Sequence, residues 1–401
     1  MLKFSEIKCV GCTACASICP RNIIGIKRNN EGFQYPYTEN ISDCIECGLC
    51  EKACPVLNFT PENKFEQTGL IAQITNEEIR RESASGGMFS AIALSVLKEN
   101  GIVYGAAYNA DFEVCHVGVS HEEELWKLRH SKYVQSNLVG VFPEVKQHLQ
   151  AGRKVCFSGT PCQVEGLRCY LGKEYENLLL IDVVCHGVSS PLIWDKYLET
   201  MKQHEPSRIY FRWKHYGYKY STMSFFNKNQ KEVYHAGVET DKMLRAYFSN
   251  SCDRDTCYDC IFKKRYRPSD FTIWDYFQPK FFNKDFDDDR GTSGVLVHSQ
   301  KALKQLESII ALNLIKYQFV SPDELTFGNN EMIGSVKKGD CREYLLKDAS
   351  HMSGKELFDK YFPDTFKTKL KKHIRLFLVH TGLYKYFKYQ LFVYRRNKAK
   401  K

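Results

Sequence analysis

Eight cysteines offer the first chemistry in this sequence. "CVGCTACASICP" runs from Cys9 to Pro20, and "CIECGLCEKACP" from Cys44 to Pro55. Each reads C-x2-C-x2-C-x3-C-P, the run of bacterial two-cluster ferredoxins. Thiolates are soft ligands that suit iron–sulfur clusters or zinc. Three cysteines in quick succession wrap one corner of a cubane. The fourth, before its proline, is expected to start a helix and reach across to the other cluster. Cys9, Cys12, Cys15 and Cys54 are therefore expected around one 4Fe–4S cluster, and Cys44, Cys47, Cys50 and Cys19 around the second. Gly11, Ala14 and Gly48 are small enough to let backbone amides approach the sulfurs and tune their potential. Two zinc knuckles are the competing reading. Structural zinc takes its ligands as two CxxC pairs, whereas each run here supplies three cysteines plus one. Two neighbouring clusters conduct electrons, so the rest of the chain should hold what receives them.

Further cysteines fall in expected loops: Cys162 in "GTPCQ", Cys185 in "VCHG", and Cys257 and Cys260 in "CYDC". A lone loop cysteine is ordinarily a small apolar residue. Together these four would suffice for one more cluster. Cys252 stands near them as a substitute ligand. Cys115, Cys156, Cys169 and Cys341 show no pattern and read as structural.

The elements that must position these groups are legible in outline. The 401 residues are 43% hydrophobic and 26% charged, the balance of a globular protein of two or three domains. Seventeen cysteines in a chain with this much core argue for metal and a reducing cytoplasm rather than disulfides. The opening residues lack a secretory pattern. No apolar run is long enough to span a bilayer. After a polar linker, "NFTPENKFEQ" (58–67), the segments "SASGGMFSAIALSVLKENGIVYGAAYN", "KVCFSGTPCQVEGLRCYL" and "LLLIDVVCHGVSSPLIWDKYLETM" alternate strand and helix. "RIYFRWKHY" and "EVYHAGVE" look like antiparallel strands, and "GVLVHSQKALKQLESII" like a further strand–helix unit. Alternation of this kind predicts an α/β domain whose loops after the strands form the site. The expected architecture is an α+β ferredoxin-like dicluster module (1–60), an α/β flavin-binding domain with added antiparallel strands (68–345), and a basic helical C-terminal tail (346–401).

The net charge is +10, and twelve Lys/Arg with no Asp/Glu lie in 367–401, which leaves −2 for the first 366 residues. Within the tail, Leu370, Ile374, Phe377, Tyr384, Phe387, Leu391 and Tyr394 keep roughly helical spacing, with Gly382 as an interruption. A basic helix with an aromatic face reads as a membrane-surface element; docking on a partner protein or on the body are the alternatives. Nucleic acid is not expected, because the body is slightly acidic and carries no nucleic-acid motif.

"SASGG", "SKYVQS" (131–136), "SGTPCQVEGL" (158–167), "DVVCHGVSSP" (182–191) and "CYDCIFKKRYRPSDFTIWD" (257–275) occur in this order. Over about residues 1–300 the sequence resembles the coenzyme F420 hydrogenase/dehydrogenase β-subunit family, preceded by a two-cluster ferredoxin domain. The resemblance implies an FAD-binding α/β domain with its own 4Fe–4S cluster, held at the positions of Cys162, Cys185, Cys257 and Cys260. It also implies flavin contacts near Ser85, Gly86, Gly87, Ser131, Lys132 and Tyr133. A glycine pair at a helix start offers amides to a phosphate, and Lys132 could pair with it or with a reduced flavin ring. This chain departs from the family at Trp274, before Asp275, and in the "YFQP" that follows.

The expected function is an iron–sulfur flavoprotein oxidoreductase. Electrons would pass from an external donor, such as a ferredoxin or a reductase, through the clusters to FAD and a small organic substrate. His186 is a candidate proton donor, against the plainer role of a hydrogen-bonded loop histidine. Some relatives are associated with bacterial surface-polysaccharide biosynthesis. The alternative is an electron-transfer adaptor without a substrate of its own. The expected location is cytoplasmic, with peripheral contact at the inner face of the membrane if the tail binds lipid.

Overall fold

The computed structural model describes residues 8–399; the opening residues, read above as lacking a signal pattern, and the last two lysines lie outside them. In the N-terminal module two short helices, α1 (Ala14–Ile18) and α2 (Leu49–Lys52), precede and follow in the chain a hairpin, β1 (Ile24–Arg28) and β2 (Gln34–Thr38), and pack against each other. Each helix is entered from a left-handed residue, Thr13 (φ 66°) and Gly48 (φ 70°). Another left-handed residue stands two places earlier, Gly11 (φ 71°) and Glu46 (φ 51°). The runs thus repeat in backbone as well as in sequence. Thr13 and Glu46 hold this conformation at a cost of about 1–2 kcal/mol each. In return the turns aim amides at sulfur: Gly11 N–H points to Cys9 Sγ and Glu46 N–H to Cys44 Sγ, both at 3.4 Å. Ala14, expected among the close-approach residues, opens α1, and its backbone amide acts on the Cys12 sulfur.

The fourth cysteine of the first run does not start a helix. Cys19 closes α1 in an extended conformation (ψ 114°), and Cys54 lies just past the end of α2. The reason is the following proline, which disfavours helical backbone in the residue before it.

The segment 58–67 is anchored rather than loose. Thr60 O accepts from Lys264 Nζ at 2.7 Å, and Glu62 Oε1 accepts from the N–H groups of Arg265 and Tyr266 at 2.8 Å each. Phe59 and Phe65 pack edge-on against Phe262 and Tyr266.

The body begins with β3 (Thr68–Ile74), α3 (Glu77–Arg81) and α4 (Met88–Lys98). β4 (Ile102–Tyr108), β5 (Val114–Val119), α5 (Val141–Gln150), β6 (Val155–Gly159), α6 (Pro161–Leu171), β7 (Leu178–Val183) and α7 (Pro191–Met201) follow. Next come β8 (Arg208–Trp213), β9 (Thr222–Phe226), β10 (Glu232–Gly237) and α8 (Lys242–Phe248). β11 (Phe271–Asp275), β12 (Ser293–Val297), α9 (Gln300–Ala311) and β13 (Ile315–Val320) lead to α10 (Pro322–Thr326), α11 (Asn330–Ile333), α12 (Arg342–Ala349) and α13 (Gly354–Tyr361).

Eight strands form one sheet in the order β13-β3-β12-β11-β7-β6-β4-β5. β4, β6, β7 and β11 run parallel; β5 on one side and β12, β3 and β13 on the other attach antiparallel. Parallel neighbours need crossovers, which α5 and α6 supply. Ala91 and Ile92 of α4 and Leu306 and Ile309 of α9 bury against one face. Val145 of α5 and Leu167 of α6 join the core on the other. α6 is fixed at both ends: Thr160 and Gln163 form a capping box, Pro161 begins the helix, and Gly172 closes it at φ 67°.

β10-β9-β8 form a separate antiparallel sheet. Its core includes Trp194 and Tyr197 of α7, Phe211 of β8, Leu345 of α12 and Phe358 of α13. Residues 342–362 therefore pack with the body, and the boundary expected at 345 falls inside α12. The tail forms two helices, α14 (Phe366–His380) and α15 (Leu383–Ala399), broken at Gly382 (φ 72°).

Candidate redox site

The first cysteine set lies against the body. Cys12, Cys15 and Cys54 are buried and Cys9 is half-buried. Burial is the largest influence raising Cys9, Cys12 and Cys15, with Cys15 pushed up to about 12. The thiols also act on one another: Cys54 raises Cys9, Cys9 and Cys54 raise Cys15, and Cys15 and Cys9 raise Cys12. Crowded, dry thiols are poor thiolates by themselves. A cationic cluster core supplies the missing charge, so these residues fit the expected group.

Several contacts hold this set in place. Arg254 Nε donates to Cys9 O at 2.9 Å and Gln34 N–H donates to Gln135 Oε1 at 2.9 Å. Arg28 bridges Glu113 and Asp195 at 2.7 Å each, and Arg342 grips Glu31 with both terminal nitrogens at 3.0 and 2.9 Å.

The second set is the more open one, although Cys50 is buried. Cys19, Cys44, Cys47 and Cys50 line one small pocket with Ile23 and Ile45. Cys47 is exposed, and Ile41 and Ile45 are 66% and 59% exposed beside it.

The third set is assembled from separate parts of the body. Cys162 sits in the first turn of α6, Cys185 two residues past β7, Cys257 in the turn Asp255–Asp259, and Cys260 just beyond. Burial dominates their rise, to about 11 for Cys162 and about 12 for Cys185, and the same four thiols then raise one another. Arg254, Lys263 and Arg267 offset this with positive charge. Cys252 lies instead in the core of the smaller sheet, where its charged neighbours are Asp253 and Arg342.

The first and third sets adjoin. Cys162 contributes to the raised thiol of Cys12. A Cβ added to Gly166 of α6 would lie 2.9 Å from Cys12 Sγ. Only glycine lets α6 lie this close to the module.

On the far side of the third set, a cleft of about 1840 Å³, counted to its open mouth, lies at the ends of β6, β7 and β11. Cys185 and His186 line it, together with Ser85, Gly87, Ser131, Lys132 and Tyr133. Gly87 (φ 87°) starts α4 without a side-chain cap, so amides of that helix's first turn face the cleft. Gly86 plays another part: its Cβ would sit 2.5 Å from Ala72 O and Ser293 N, so it packs against β3 and β12.

Lys132 Nζ donates to the carbonyls of Lys127, Arg129 and His130 at 3.1, 2.8 and 3.4 Å, and burial pushes its amine down to about 7. Its donors are held by these backbone carbonyls at the cleft wall. Tyr133 stacks on Tyr247 at 4.4 Å. His186 Nε2 lies 2.7 Å from Asn250 Oδ1, and burial holds the ring below its usual pKa. A neutral imidazole whose N–H is given to an amide matches the hydrogen-bonded loop role.

His130 was not singled out from sequence. It lines the cleft in a left-handed conformation (φ 66°), and both ring nitrogens are shielded without a protein partner. Its only signal was its position directly before "SKYVQS". Arg212 and Asp275, an ion pair, also line the cleft, as do Trp274 and Phe277.

Comparison with known proteins agrees with this layout. Residues 8–58 match the 4Fe-4S dicluster domain. Residues 70–142 match the N-terminal domain, and 152–322 the C-terminal domain, of the coenzyme F420 hydrogenase/dehydrogenase beta subunit. The chain belongs to this family. It is 26% identical over 164 residues to the coenzyme F420-dependent sulfite reductase of Methanocaldococcus jannaschii, covering 40% of this chain and 24% of that one. It is 33% identical over 66 residues to NADH-quinone oxidoreductase subunit I 2 of Geobacter metallireducens, covering 16% and 50%. The chain thus spans from a quarter to half the length of these curated relatives. A chain of the F420-reducing [NiFe] hydrogenase complex from Methanosarcina barkeri aligns over 73% of this chain and 89% of its own, at 16% identity and a TM-score of 0.45. The family is one of iron–sulfur oxidoreductases and electron-transfer subunits. Among the described residues, no helix is long and apolar enough to cross a membrane.

Proposed function

We propose that the chain is an iron–sulfur flavoprotein oxidoreductase. It takes electrons from an external protein donor at the exposed Cys44 set. It relays them through the Cys9 set and a third cluster on Cys162, Cys185, Cys257 and Cys260, to a cleft that holds FAD and a small organic substrate. One observation carries this reading. The third set lies between the module and the cleft, with α6 against Cys12 on one side and Cys185 in the cleft wall on the other. FAD, when bound, exchanges single electrons for a hydride. The first-turn amides of α4 are donors available for its anionic part, and Tyr133, Trp274 and Phe277 are aromatic surfaces near it.

The test is iron, acid-labile sulfide and released flavin on anaerobically purified protein. The reading expects about twelve irons and one FAD per chain, and about eight irons in the Cys162→Ala and Cys185→Ala variants. About eight irons and no flavin in the unaltered chain would instead favour an adaptor without its own substrate.

We further propose that the tail rests on an anionic membrane surface. Phe366, Leu370, Ile374 and Phe377 recur at steps of four, four and three; Leu383, Phe387, Leu391 and Tyr394 repeat the same steps, and all eight are at least 40% exposed. The opposite face packs on the body through Arg375 to Glu239, Lys385 to Asp287 and Arg396 to Glu324. Tyr384, expected on the apolar stripe, belongs to this inner face, where its hydroxyl accepts from Arg375. Lysines flank the outer stripe, as lipid headgroup contact requires. Unchanged partition onto phosphatidylserine vesicles after Phe377→Asp and Phe387→Asp would refute this.

A further inference from the structure

The smaller sheet brings together a second set of ligand-type side chains, made of nitrogen and oxygen rather than sulfur. His215 lies two residues past the end of β8, Glu232 opens β10, and His235 follows three positions later. In a regular strand, residues three apart point to opposite faces. Here the register of β10 shifts between Glu232 and Tyr234. A bulge takes up the extra residue and re-aims the strand, so both side chains meet His215 on one face.

The three offer one ligand atom each, all within 4.8 Å of one another. His215 Nδ1 lies 2.8 Å from Glu232 Oε2. The rings of His215 and His235 stack with centroids 3.8 Å apart at 20°. Glu232 Oε1 is shielded from solvent and has no hydrogen-bond partner. An acceptor left dry and unpaired costs about 1–3 kcal/mol, more when charged, and stacked imidazoles give it no donor. One cation would satisfy the carboxylate and both rings.

We propose that His215, Glu232 and His235 bind a divalent transition-metal ion of the zinc class. Two imidazoles and one carboxylate are a three-ligand set that zinc accepts, with water in the fourth position. Imidazole donors disfavour calcium and magnesium, which take oxygen. Both histidines are exposed, so the rings can turn out of their stack and direct their lone pairs to one point. The ion would replace the proton shared by Nδ1 and Oε2. It would tie the β8–β9 connection to β10 close to the tail, since Lys372 of α14 acts electrostatically on His235 and His380 lies against Tyr216. None of this depends on the redox reading.

The experiment is titration of the full chain, purified anaerobically with its clusters in place, with Zn²⁺ against a colorimetric zinc indicator. X-ray absorption at the zinc edge then reads the ligands. The unaltered chain should bind one more equivalent than the H215A/H235A double variant, with a nitrogen–oxygen shell near 2.0–2.1 Å and no sulfur near 2.3 Å. E232Q keeps size and shape and guards against misfolding of the double variant. It should weaken binding by more than the roughly 10–100-fold that loss of an outer partner costs. Equal zinc uptake by the unaltered chain and E232Q, or a shell of sulfur alone, would overturn the proposal.

Discussion

Gly11 and Gly48 both hold left-handed backbone in a cysteine run, at φ 71° and 70°. A Cβ on Gly11 would meet Gln135 Nε2 at 2.4 Å and Gln34 O at 3.0 Å, whereas one on Gly48 would meet nothing within 4 Å. The same contrast runs through both sets. The Cys9 set is enclosed by Arg254, Gln135 and α6 of the body. The Cys44 set has Cys47 at the surface and two exposed isoleucines beside it. A repeated motif determines which atoms ligate. What surrounds each copy determines which one an outside protein can touch.

Thiol reactivity should separate the two sets most sharply. In the iron-free chain at about pH 8, Cys47 should be alkylated rapidly. Burial pushes Cys15 up to about 12, so its thiolate is scarce there and its rate should climb about tenfold per pH unit toward that value. Peptide mapping by mass spectrometry reads both, and equal rates at pH 8 would erase the distinction. Gly11→Ala should then cost about 3 kcal/mol in thermal or denaturant unfolding, combining left-handed strain with overpacking. Gly166→Ala, facing Cys12, should cost about 2 kcal/mol by overpacking alone. Gly48→Ala should cost only the strain, about 1 kcal/mol; matching losses at Gly11 and Gly48 would mean the inner contacts carry little. The smallest change in stability, within about 0.5 kcal/mol, is expected for Ile41→Asp with Ile45→Asp. That pair should nevertheless slow reduction by a ferredoxin-type donor while leaving reduction by dithionite unchanged, and an unaffected donor rate would move the docking surface elsewhere.

The grouping of the module's cysteines was readable because their spacing is local and repeated. Gly11 and Gly48 stood out only as small residues beside the sulfurs; the left-handed backbone at Thr13 and Glu46 gave no hint, since their residue types rarely adopt it. Cys162 and Cys185 were readable as loop positions after strands, but their meeting with Cys257 and Cys260 depends on parallel pairing of β6, β7 and β11, which spacing alone does not encode. Gly166 and Arg254, which join module to body, were invisible for the same reason. Lys132 shows another limit: its type suggested a ligand contact, and it does line the cleft, but the three backbone carbonyls that hold its amine could not be read from sequence. The bulge that aligns Glu232 with His235 left no mark in an alternation pattern. The surface-polysaccharide setting rested on resemblance, and no residue described above bears on it.

The anchoring of residues 58–67 has a consequence for how this protein could be divided. Thr60, Glu62, Phe59 and Phe65 hold that stretch to Lys264, Arg265, Phe262 and Tyr266, immediately after Cys260. With the ion pairs of Arg28 and Arg342, these contacts would keep the module seated even if the covalent thread were cut there. Two separately made polypeptides, split in this stretch, should therefore reassemble into the same conductor.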